Sequence, residues 1–148
     1  MTKQFPQCYW LLIFILVSLT ASASDATIAP FASDGCSDFP NGLPQQKSLW
    51  LDCCVQHDKT YWMGGTYKER QQADKALERC VAAVGQPEIA KLMLAGVRVG
   101  GSPFWPTRFR WGYGWPWPRG YGALTPEAHA QAQAALAEYE RAESKRVH

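Results

Sequence analysis

After Leu19 the sequence contains no apolar run approaching the roughly 20 residues that a membrane span requires. It also lacks a clear excess of either charge. Once the first 23 residues are set aside, the loss of Lys3 leaves the basic side chains only one ahead of the 13 acidic ones. A chain so near neutrality exerts no global attraction on nucleic acid, so none is expected as a partner. No internal repeat is present, which excludes stacked-repeat architectures. Cysteine is scarce as well, with Cys8 near the amino terminus and only Cys36, Cys53, Cys54 and Cys80 after it.

What is present begins with an address. Lys3 precedes an apolar run from Tyr9 to Leu19, and Ala21-Ser22-Ala23 closes it, so residues 1–23 read as a secretory signal peptide. The expected location is secreted or periplasmic, an uncleaved membrane anchor being the lesser alternative. Cys8 lies ahead of the apolar run, so cleavage removes it. Residues 24–148 are long enough for a single domain, and four cysteines in an oxidising compartment read as two disulfides.

The pattern along that domain is mainly α. Residues 24 to 49 are rich in turn formers, "SDGCSDFPNGLP" above all, and end at Ser48, a suitable N-cap. From Leu49 to Met63 no Pro or Gly intervenes before Gly64-Gly65, which predicts a helix of about four turns. Thr66 with Glu69 has capping-box spacing for a second helix running through Leu77 and Val81 to Gly85. The short linker makes the two helices antiparallel. Pro87 to Ala95 reads as a third, short helix ended by Gly96. Residues 96–124 form a Gly- and Pro-broken aromatic loop. Thr125-Pro126-Glu127 then starts a helix to Lys145, with a thin apolar stripe at Ala132, Leu136 and Tyr139.

The chemistry concentrates in "CCVQHDKTYW". Helical spacing puts Cys53, His57 and Tyr61 on one face and Cys54 and Asp58 on the neighbouring one. Adjacent cysteines on a helix diverge, so each must pair with either Cys36 or Cys80. A zinc site built from these cysteines and His57 is disfavoured by the oxidising compartment. Both bridges anchor within a turn of His57. Asp74, six residues before Cys80, lies where the antiparallel partner passes it, and a carboxylate against an imidazole suits a general base. Asp58, turned toward the loop, is placed to bind a hard cation with backbone oxygens of "SDGCSDFPNG", although Asp34 and Asp38 also suit plain turns.

With these elements the chain resembles the secreted phospholipase A2 superfamily. The resemblance rests on "DGCS", "CCVQHDKTYW" and "ADKALERC", within residues 33–84. It implies a core of two antiparallel disulfide-linked helices with an irregular calcium loop. It further implies His57 as the base that activates water against the sn-2 ester of a phospholipid, and Asp74 as its orienting carboxylate hydrogen-bonded to Tyr61. Calcium would be held by Asp58, and, by similarity to the short prokaryotic and fungal branch, by Asp34 and Gly35. The implied disulfides are Cys36 with Cys54 and Cys53 with Cys80. Thr60 and Ala73 stand where many members carry a further bridge. The glycine-rich loop of the animal enzymes is absent.

Eight aromatics fall between Phe104 and Tyr121, with three arginines and no acid. Trp105, Arg108, Arg110, Trp111, Trp115 and Trp117 would suit an interface with membrane or aggregated lipid, since indoles favour the headgroup zone and Arg favours anionic lipid. The competing reading is a loop folded back as cover for a small core. Two functions are therefore expected of the whole: a calcium-dependent phospholipase A2-like hydrolase, or a non-catalytic module gripping a membrane or a partner protein through the aromatic loop.

Overall fold

The computed structural model describes residues 26–146. The signal peptide expected at 1–23, with Cys8, lies outside the described residues. The described chain is mainly helical: α1 Leu51–Met63, α2 Tyr67–Ala83, α3 Pro87–Gly100 and α4 Pro126–Arg146. None of these helices is long and apolar enough to cross a membrane.

The contacts between α1 and α2 descend one chain as they climb the other: Cys53 is bonded to Cys80, His57 meets Asp74, and Tyr61 meets Arg70. They are therefore antiparallel. The second bridge, Cys36–Cys54, ties the turn-rich loop to α1, so the pairing matches the one the resemblance implies. Thr66 and Glu69 close the capping box that starts α2.

Two boundaries differ from expectation. Ser48 does not cap α1. Trp50 occupies that position without a side-chain cap, because tertiary bonds set the start: its indole donates to Pro40 O at 2.6 Å and its backbone N–H to Asn41 O at 3.1 Å. Helix α3 does not stop at Gly96 but continues to Gly100. Ala90 and Met93 bury against Leu77 and Val81 of α2, and that contact outweighs the roughly 1 kcal/mol that an interior glycine costs.

The chain from Gly101 to Thr125 is wrapped over the carboxyl end of α1. The last carbonyls of a helix have no partner within it. Here the loop supplies them: Gly112 N–H donates to Tyr61 O, Gly114 N–H to Trp62 O, and the Trp115 indole to Met63 O at 2.7 Å. The Trp111 indole reaches Gly65 O at 2.8 Å. Gly114 has to be glycine for this approach, since a Cβ there would lie 2.5 Å from the Trp62 indole nitrogen. A second cluster, Ile28, Phe31, Trp62, Trp115 and Ala132, joins the amino-terminal segment and α4 to the other side of α1.

Candidate active site

His57 sits in the middle of α1, where two disulfides and the α2 contact leave its backbone little freedom. Its Nε2 lies 3.2 Å from Asp74 Oδ1, and the Tyr61 hydroxyl donates to that same oxygen at 2.6 Å. Asp74 is fully buried and His57 nearly so. Burial, and then the adjacent Asp74 charge, push the Tyr61 phenol well above its ordinary range, so at neutral pH it acts as a donor. With Nε2 turned toward Asp74, Nδ1 is the ring nitrogen left for water.

His57 and Tyr61 line a cavity of about 430 Å³ whose remaining wall is largely apolar, with Leu77, Leu92, Met93, Val97 and Phe109. Asp58 lies on the same rim and also on that of a second cleft of about 510 Å³ with Asp34, Arg108 and Tyr113. Its Oδ2 accepts from the Ser33 hydroxyl at 2.6 Å. Burial pushes the Asp58 carboxyl up to about 7, with Asp34 adding to the rise and the Ser33 hydrogen bond opposing it. Asp34 is tied more loosely, accepting from Ser37 Oγ at 2.9 Å and facing the exposed Arg108 at 3.4 Å. Gly35 is buried with φ near 80°, and a Cβ there would strike the Asn41 side chain, so the bend requires glycine.

The side-chain ligand atoms around Asp58 are oxygens, from the Asp58 and Asp34 carboxylates and the Ser33 hydroxyl, the class a hard divalent cation takes, with Arg108 facing Asp34 at 3.4 Å as the competing charge. Among the described residues no group of three or more His, Cys, Asp or Glu gathers. A cation held here would therefore depend on backbone and solvent oxygens as much as on carboxylates.

The structure divides the expected interface residues. Trp105 and Trp117 are exposed and Arg108 is open to solvent. Arg110, Trp111 and Trp115 are buried, which removes them from any surface. Arg110 donates to Thr107 O and Trp115 O, and burial lowers its basicity. Inside the fold the two indoles donate to the Met63 carbonyl, the last of α1, and to that of Gly65 just beyond it.

Three polar groups of the site were not anticipated. Arg70 is buried and donates to the Tyr61 and Tyr121 hydroxyls and to Val97 O and Arg98 O. Arg98 Nε lies 2.7 Å from Asp74 Oδ2. Ser33 holds Asp58. Helical spacing could have placed Arg98 opposite Asp74 only if α3 had been extended past Gly96, and Ser33 carries no periodic signal. Compared with protein-family models, with curated proteins and with solved structures, the chain matches none.

Proposed function

We propose that this chain is an exported, calcium-dependent hydrolase of the phospholipase A2 type, cleaving the sn-2 ester of phospholipids. The observation that carries the reading is the buried His57–Asp74 pair at 3.2 Å, with His57 lining a largely apolar cavity and Asp58 one residue away. His57 Nδ1 takes a proton from water as the oxygen attacks the ester carbonyl, and Asp74 supports the imidazolium that forms. The same proton passes to the departing alcohol, giving a fatty acid and a lysophospholipid. Asp58, with Asp34 and Gly35, would hold calcium, which when bound supplies positive charge for the developing oxyanion. The cavity wall has the chemistry of an acyl-chain site.

A lipid surface as partner is supported by α3 and the loop after it. Leu92 and Val99, seven residues apart and so on one helix face, are exposed, as are Phe104 and Trp105. Leu92 also lines the cavity, so this apolar face continues into the mouth of the site.

The test is fatty-acid release from mixed phospholipid vesicles, with and without a chelator, for the wild type and His57→Gln. Release abolished by either treatment is the expected result. Release that ignores both would overturn the mechanism, and no release from any lipid would favour the non-catalytic module.

A further inference from the structure

The two oxygens of Asp74 face different groups. Oδ1 accepts from Tyr61 and faces His57. Oδ2 has no hydrogen-bond donor, yet Arg98 Nε stands 2.7 Å away. The distance is that of an ion pair while the N–H is not aimed at the oxygen. The contact therefore acts through charge, which does not depend on that angle.

A buried carboxylate requires a countercharge. His57 supplies one only when protonated. Arg70, the other cation nearby, has its nitrogens committed to the Tyr61 and Tyr121 hydroxyls and to two α3 carbonyls. Arg98 is the cation in direct contact. It reaches inward from a side chain 34% exposed, and its second terminal nitrogen donates to Gln71 O at 3.3 Å, one turn before Asp74 on α2.

We propose that Arg98 is a positioning residue for the His57–Asp74 pair. Its charge against Oδ2 pins the carboxylate in the orientation that leaves Oδ1 as acceptor for His57 and Tyr61. The kinetic part of this proposal rests on the hydrolytic function proposed for the same pair. Helix α3 thereby has two tasks, lining the cavity with Leu92, Met93 and Val97 and delivering the countercharge one position later.

Arg98→Met keeps the aliphatic stem and removes the charge. It should lower kcat by roughly 10- to 100-fold with KM unchanged, the usual cost of losing a partner behind an active-site group. Arg98→Lys should recover most of that loss, and Arg98→Ala should regain activity in low millimolar guanidinium. A merely structural arginine would reduce the folded fraction without a kcat-against-KM split or rescue by guanidinium.

A second readout does not depend on lipid hydrolysis: the downfield proton resonance of His57 Nε2–H, identified by its loss in Asp74→Asn. It should shift or broaden in Arg98→Met while circular dichroism stays native. Should that variant fail to fold, Arg98→Gln, which retains a donor for Gln71 O, takes its place. Wild-type kcat together with an unmoved resonance overturns the proposal. A moved resonance in a chain that hydrolyses no lipid upholds Arg98 and removes the hydrolytic reading instead.

Discussion

At Asp58 two demands oppose each other. A cation ligand must be ionised, whereas the burial of this carboxyl and the neighbouring Asp34 favour its protonated form and raise it to about 7 from 3.8. A carboxyl raised in the folded chain destabilises the fold as pH rises: the penalty is absent below the unfolded value, grows between the two, and is complete above about 7. Asp58→Asn removes it. With chelator present, the variant should gain about 1–3 kcal/mol over wild type at pH 8 and little at pH 4. Thermal unfolding at the two pH values checks this, and an equal difference at both would contradict it. The same substitution should abolish the calcium-dependent hydrolysis proposed for the chain, so that stability and that activity would separate at one side chain. That separation is expected where a site stores unfavourable electrostatics for use with a ligand.

Two of the three glycines in helix α3 and its cap have surroundings that make opposite demands. Gly96 lies inside the helix, and the position where a Cβ would stand has no atom within 4 Å apart from the adjacent helix backbone. Gly96→Ala should therefore stabilise the chain by about 0.5–1 kcal/mol, through helix propensity and a less free unfolded state. Five residues on, Gly101 is the contrary case: a Cβ would lie 2.5 Å from a ring carbon of Tyr61. Gly101→Ala should destabilise the fold and displace Tyr61 from Asp74. Denaturant midpoints of both variants test the pair, and a destabilising Gly96→Ala would mean that α3 bends there. The contrast also explains what can be read from sequence. Helix α2 is legible because Thr66 and Glu69 satisfy its first N–H groups locally, and Gly64-Gly65 marks the end of α1. The beginning of α1 is not, since Trp50 is set by Pro40 and Asn41. The end of α3 escapes the sequence because one glycine is a weak stop against Ala90 and Met93 packed on α2. His57 and Asp74 emerge from spacing on two helices, whereas Arg98 needs the length of a third.

Across the whole molecule, α1 is enclosed from two sides, by the disulfide-linked cluster of Trp50, Leu77, Val81 and Met93 and by the cluster of Phe31, Trp62, Trp115 and Ala132. The indoles of Trp50, Trp62 and Trp115 are buried in these two clusters and that of Trp111 in a third with Tyr61 and Ala73, leaving Trp105 and Trp117 as the exposed ones among the described residues. Composition could not divide them, because the buried indoles are held by tertiary contacts, donating to the Pro40, Ala29, Gly65 and Met63 carbonyls. The division makes membrane docking measurable. If the α3 face with Leu92, Val99 and Trp105 meets lipid, tryptophan emission should shift to the blue on adding anionic vesicles, and Trp105→Phe should remove most of that shift. Val99→Glu, at a side chain 80% exposed, should leave stability and turnover of a monomeric short-chain ester unchanged. It should weaken vesicle partitioning roughly tenfold, since withdrawing one aliphatic side chain from lipid forfeits about 1.5 kcal/mol. Unchanged emission and unchanged partitioning would detach this face from lipid while leaving the chemistry of His57 and Asp74 as it stands.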